Sequence, residues 1–189
     1  MQRTLRALVV FAAVAGASAP RIAHADGFIN LWAGRQFPST GDQGRGAFGL
    51  TAGGTGSGIV GGELELGYSP SFFGTENDFG HNTVLDLTFN VTLGMPVGNS
   101  HRGGSIRPFA RIGAGLVRTQ IDGGSLFNAS SSENHFGWDL GGGVIGFFSD
   151  RVGLRGDVTY FRNMTGNIVN GLDLGALRFW RWSAGLVVR

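Results

Sequence analysis

The stretch Gly61-Gly-Glu-Leu-Glu-Leu-Gly-Tyr68 separates into two surfaces when every second residue is read. Gly61, Glu63, Glu65 and Gly67 fall on one side; Gly62, Leu64, Leu66 and Tyr68 fall on the other. Successive side chains of a strand point to opposite faces, so this is a strand with carboxylates on one face and apolar groups on the other. Which face turns inward depends on how the rest of the chain repeats the pattern.

Seven other segments repeat it, separated by clusters of Gly, Pro, Asn, Asp and Ser. In Phe28 to Phe37, Ile29, Leu31 and Ala33 alternate with Asn30, Trp32 and Gly34. Gly46 to Gly53 sets Phe48, Leu50 and Ala52 against Gly49 and Thr51. The cleanest run is Leu85, Leu87, Phe89, Val91 and Leu93 against Asp86, Thr88, Asn90, Thr92 and Gly94. Arg107 to Arg118 alternates Ala110, Ile112, Ala114 and Leu116 with Phe109, Arg111, Gly113 and Gly115. Phe136 to Phe147 places Trp138, Leu140 and Val144 opposite Asp139, Gly141 and Gly143. Val152 to Arg162 places Leu154, Val158 and Tyr160 opposite Arg155, Asp157 and Thr159. Phe179 to Arg189 ends the chain with Trp180, Trp182, Ala184, Leu186 and Val188 opposite Arg181, Ser183, Gly185 and Arg189.

The links after the second and sixth segments are short. Those after the first, third, fifth and seventh are longer and polar, as in Thr119 to Asn134, and Met95 to Ser105 is intermediate. Alternating long and short ends fit an up-and-down meander with both termini on the short-turn side.

Composition agrees. The chain has 189 residues, 35 of them Gly, with no Cys and no Lys, so every basic residue except His is Arg. The length suits one domain. Without Cys there is no disulfide framework and no thiolate metal site. The first 25 residues form a separate unit. Arg3 and Arg6 precede an apolar run from Ala7 to Ala17, and a polar stretch ends in Ala23-His24-Ala25. That order is a secretory signal peptide with cleavage expected before Asp26; the run is too short to span a bilayer as a helix. Losing Arg3, Arg6 and Arg21 lowers the formal net charge from +2 by three, to −1, so the basic balance is no argument for nucleic-acid binding.

The two faces now decide the architecture. One carries Leu, Val, Ile, Phe, Trp and Tyr; the other carries Gly, Ser, Thr and Asn with Glu63, Glu65, Asp86, Arg111, Asp139, Arg155, Asp157 and Arg181. Charges of both signs make a poor core for a soluble barrel. With the apolar face toward lipid they pair across a narrow interior, and only a closed barrel satisfies every backbone group in a bilayer. Strands of ~9–11 residues are long enough to cross when tilted. Tyr68, Phe89, Trp138, Tyr160 and Trp180 lie where interfacial girdles form. The expected fold is all-β, an eight-stranded antiparallel up-and-down transmembrane β-barrel over residues 26–189.

Gly62-Glu-Leu-Glu-Leu-Gly-Tyr68, Phe109-Ala-Arg-Ile-Gly-Ala-Gly115, Gly153-Leu-Arg-Gly-Asp-Val-Thr-Tyr160 and Trp182-Ser-Ala-Gly-Leu-Val-Val-Arg189 resemble the outer membrane protein β-barrel domain family, in particular the outer-membrane protein A-like barrels. The resemblance spans most of the chain after Ala25 and rests on spacing and residue class. It implies a bacterial outer-membrane location, contact with outer-membrane lipid and lipopolysaccharide, and insertion by the barrel assembly machinery. It also implies a lumenal charge network, carried by position onto Glu65, Arg111 and Arg155 with Asp157 as acidic partner. Such barrels usually end in Phe or Trp, whereas this sequence stops at Arg189; no peptidoglycan-binding domain follows, so a two-domain tether is not expected.

Other motifs carry less. Arg155-Gly156-Asp157 spells an integrin-binding tripeptide, but a strand with both charges inward hides it from a receptor. Gly56-Ser-Gly58-Ile-Val-Gly61 has dinucleotide-type spacing, yet it leads from a turn into a strand, and without Lys a Walker-type phosphate loop is impossible. Asn128-Ala-Ser130 and Asn163-Met-Thr165 read as plain loop residues. His81 and His135 are expected in loops beside Asp78 and Glu133, with Ser130 to Ser132 nearby, a weak catalytic or metal-binding constellation. No cofactor is called for. An eight-stranded interior is just filled by side chains, so the expected role is structural or interactive at the cell surface. The competing class is a small-solute channel resembling the outer-membrane protein W type; a lipid A-modifying enzyme is the third reading.

Overall fold

The computed structural model describes residues 26–38, 44–55, 59–72, 81–95, 97, 105–122, 131–164, 168–169, 172–173 and 178–189. The predicted signal peptide lies outside the described residues, as do Asp78, Asn128, Ser130 and most of the connections on the long-loop side. Eight strands run β1 (Asp26–Pro38), β2 (Arg45–Thr55), β3 (Val60–Pro70), β4 (His81–Gly94), β5 (Ser105–Asp122), β6 (Ser131–Phe147), β7 (Val152–Asn163) and β8 (Arg178–Val188). Each pairs antiparallel with its sequence neighbour, and β1 pairs with β8 to close the barrel. A separate two-stranded pairing, Ile168–Val169 with Leu172–Asp173, lies between β7 and β8. Closure leaves no barrel strand with an open edge facing lipid, which a bilayer requires.

Burial alternates along each strand, and the apolar row is the exposed one. Ile29, Leu31, Leu64, Leu66, Phe89, Val91, Ile112, Leu140, Leu154 and Leu186 all face outward. Glu63, Glu65, Asp86, Arg111, Asp139, Arg155 and Arg181 are at most 3% exposed. A soluble protein would show the reverse, so this exterior belongs against hydrocarbon.

The strands run past the segments expected from alternation, most of all β5 and β6. Thr119 to Asp122 and Ser131 to His135 belong to strands, not to a loop: Thr119 faces Glu133 and Ile121 faces Ser131 across the pair. Beyond the bilayer no apolar row is needed, so the hairpin ladder continues with polar residues that carry no periodic signal. The connection between β3 and β4 begins at Ser71, a non-glycine residue with a φ of 53°, whose backbone N–H donates to the Asn82 carbonyl at 2.7 Å.

The aromatic girdle is narrower than expected. Phe48 packs on Tyr68 (5.3 Å between ring centroids), and Tyr160 touches both Trp138 (5.8 Å) and Trp180 (5.0 Å). All lie toward the long-loop ends of their strands. Phe89 does not join them: it stands mid-strand, opposite Leu64 and Ala114, on the plain hydrocarbon-facing surface.

Candidate functional site

The lumen is the most densely built region of the molecule. Alternation turns Glu63 and Glu65 of β3 inward; Gly67 on the same row leaves room beside the Asp86 carboxylate of β4. Arg111 of β5 reaches Glu65 with two hydrogen bonds, from Nη1 to Oε2 at 2.6 Å and from Nη2 to Oε1 at 3.2 Å. Arg155 of β7 makes the matching two-pronged contact with Glu63, at 2.9 and 3.0 Å, and its Nε donates to Asp157 at 2.8 Å. Arg181 of β8 donates to Glu65 as well, and to both oxygens of Asp86 at 3.3 and 3.4 Å. Glu65 therefore sits between two guanidiniums, while Arg155 sits between two carboxylates.

Carboxylates outnumber guanidiniums in this layer, and neutral donors supply the remaining contacts. Ser183 Oγ donates to Asp157 at 2.8 Å, and Thr51 Oγ1 donates to Glu65 at 3.3 Å. With its amide nitrogen turned to the carboxylate, Asn90 donates to Asp139 at 2.6 Å and accepts from Thr88 Oγ1 at 3.1 Å. Asp139 is held less directly by arginine, with Arg111 Nε 3.7 Å away. Buried charges survive only when paired and hydrogen-bonded, and planar arginine forks suit carboxylates in such a space. The small inward row makes room for them, since the Gly113 position abuts the Asn90 side chain and Gly143 abuts Asp157.

Aromatic rings grip the arginines from the side. Arg181 lies between Trp32 (4.3 Å to the ring centroid) and Phe161 (4.5 Å), and Arg155 lies over Phe109 at 4.3 Å. The inward row is thus not only small, polar and charged. Phe28, Phe109, Ile145, Phe147 and Val187 form one buried apolar cluster toward the short-turn end of the lumen. Phe72, Val84, Val117, Phe161 and Phe179 form a second toward the long-loop end, with Phe161 and Phe179 stacked at 4.7 Å. Except for Phe72, which lies beyond the end of β3, these residues share strand parity with the charges, as Phe161 does with Arg155 and Asp157, so alternation could have found them. Their hydrophobicity points to the lipid face instead. Arg189 packs on Phe147 at 3.7 Å, and its N–H donates to the Arg151 carbonyl at 2.9 Å.

The histidine constellation takes a different form. His135 lies in β6, not in a loop; it points inward and is 8% exposed, with Nε2 3.1 Å from Glu133 of the same strand. His81 is the first residue of β4. Among the described residues no group of His, Asp and Glu is arranged to hold a metal ion. Asn163 ends β7 as an inward, buried residue, not a loop residue.

The sequence matches the family described as outer membrane protein beta-barrel domain over residues 7–189. No curated protein matches it. Among solved structures, Neisserial surface protein A (NspA) is similar with a TM-score of 0.63 at 16% identity, covering 86% of this chain and 96% of that one. The N-terminal β-barrel domain of Pseudomonas aeruginosa OprF gives 0.45 at 15% identity, with 86% and 99% covered. Ail, the attachment invasion locus protein of Yersinia pestis, gives 0.46 at 13% identity, with 85% and 96% covered. At such identities the likeness to the Neisserial protein is one of fold. With the family match running along nearly the whole sequence, and with an eight-stranded closed barrel that turns its apolar face outward, the chain belongs to the outer membrane protein beta-barrel domain family.

Proposed function

We propose that this outer-membrane barrel is a non-conducting structural and surface-interaction protein whose lumen is a folded core and not a passage. The observation that carries this reading is the layering of the interior. An ion-paired middle around Glu63, Glu65, Arg111, Arg155 and Arg181 lies between apolar clusters at the two ends. A solute would have to break several buried ion pairs and push apart the packed rings at both ends. Eight-stranded barrels have interiors of the size that side chains fill. The connections on the long-loop side, together with the projecting β5–β6 hairpin, then serve as the contact surface. In this reading residues 1–25 direct export and are removed before Asp26, and the assembly machinery inserts the barrel.

The test is conductance. Purified full-length protein, folded and inserted into planar bilayers, should give no stable ion-sized openings across ±100 mV. Reproducible unitary openings from folded protein would overturn the closed-lumen reading in favour of a small-solute channel.

A further inference from the structure

We propose that Ser71 and Phe72 form a latch at the long-loop mouth of the lumen, which opens by itself and wets the upper interior while the ion-paired layer below stays shut. Phe72 follows β3 and turns inward. It is 1% exposed, packs with Val84, Val117, Phe161 and Phe179, and meets the Phe179 ring edge-on at 5.3 Å. Within that cluster it alone comes from outside the barrel strands. The other four are fixed by the ladders of β4, β5, β7 and β8. Phe72 is held by its own burial and by the backbone bond beside it, from the Ser71 N–H to the Asn82 carbonyl at 2.7 Å.

Two features work against the closed latch. Ser71 takes a φ of 53°, where a side chain crowds its own backbone, and such a conformation persists only while its surroundings enforce it. Closure also leaves polar groups dry. Ser69 stands opposite Val84 in the β3–β4 register, fully buried, and its hydroxyl finds no hydrogen-bond partner among the described residues. Gln36 faces Arg181, one inward step from Phe179 on β8, and Thr159 is one inward step from Phe161 on β7. Both are fully buried, and neither the Gln36 amide atoms nor the Thr159 hydroxyl finds a partner. A buried polar group without a partner is costly, and water supplies what it lacks. Burial of one phenyl ring is thus set against strain in the turn and dehydration beneath it, which brings the closed and open forms close in free energy. Withdrawing Phe72 breaks no strand pairing. It also breaks no ion pair, since Arg181 is held one layer down by Glu65 and Asp86.

The latch deepens the closed-lumen reading, on which it rests for the shut layer beneath. The two fail separately: conductance by the parent refutes the closed lumen, whereas thiol accessibility judges the latch. The sequence has no Cys, so S69C gives the full chain a single thiol. Folded in dodecyl maltoside micelles, it is treated with a cationic methanethiosulfonate, and labelling is followed by mass. S69C should react, but roughly tenfold or more slower than M164C, whose position is 65% exposed. Adding F72A should speed the S69C reaction roughly tenfold at unchanged folded gel mobility. Adding S71G should slow it roughly twofold or more, because glycine relieves the strain of the closed turn. T88C, two inward steps further down β4 from Val84, should stay unreactive with or without F72A. An S69C thiol that never reacts in the parent, equal rates with and without Phe72, or T88C reacting as fast as S69C would each overturn the latch. Should F72A misfold, S71G decides, and a rate equal to that of S69C alone would overturn it.

Discussion

Arg155→Ala strips two buried carboxylates of their cation at once. Glu63 loses both prongs of its contact, at 2.9 and 3.0 Å, and its next guanidinium is Arg111 Nη1 at 4.0 Å. Asp157 loses Nε at 2.8 Å and keeps the neutral Ser183 hydroxyl. Removing one partner of a buried pair costs about 3–5 kcal/mol, and the lost stacking on Phe109 adds roughly 0.5–2 kcal/mol. Arg111→Ala is the informative comparison. Glu65 keeps Arg181 and Thr51, and Asp139, which loses the more distant Arg111 Nε at 3.7 Å, keeps the Asn90 amide, so no carboxylate is stripped of every close donor and the loss is roughly 1.5–3 kcal/mol. The expected order of stability is parent, then Arg111→Ala, then Arg155→Ala. Urea unfolding from lipid vesicles, followed by tryptophan emission and by folded gel mobility, gives the three midpoints. Glu63→Gln placed in the Arg155→Ala background should recover some of the loss, because it removes the stranded charge. Identical midpoints for all three proteins, or no recovery by Glu63→Gln, would refute the paired-lumen reasoning.

Further outcomes follow from other sites. Gly67→Ala should destabilise the barrel by about 1–3 kcal/mol, because a Cβ there would meet the Asp86 carboxylate oxygens at 2.5 and 2.6 Å and push them off Arg181; Gly46→Ala, with nothing within 4 Å, should melt like the parent. Ile112→Arg, mid-strand on the outward row, should cost about 2–4 kcal/mol when unfolding is measured from a bilayer; an unchanged midpoint would argue against lipid on that face. At Ser71, with its positive φ, glycine should stabilise by about 1 kcal/mol and valine should destabilise, and thermal midpoints of the two variants would show it.

The inward and outward rows could be read from residues such as Leu85 to Gly94, because a period of two is a local property of the strand and survives any tertiary arrangement. The pairing of charges could not. Alternation turns Glu63 and Glu65 both inward but gives no height around the barrel. The stagger of neighbouring strands brings Arg155 level with Glu63, and Arg111 and Arg181 level with Glu65. The apolar ends of the lumen are hidden for a related reason. Phe161 and Phe179 look like lipid-facing residues by hydrophobicity, and only their parity places them inside. His135 escapes a reading by periodicity because a strand outside the bilayer has no need of an apolar row to announce it.

The sequence by itself determined that the chain makes eight two-faced strands, since side-chain alternation and turn residues act over a few positions. It also carried the argument for lipid outside and charge inside, because charges of both signs on one shared row have no other physically acceptable place. Only the tertiary structure decided which guanidinium meets which carboxylate and that the apolar residues of the inward rows gather into one cluster toward each end of the lumen. Those depend on the register between strands distant in sequence, which is set by closing the whole barrel and not by any one strand.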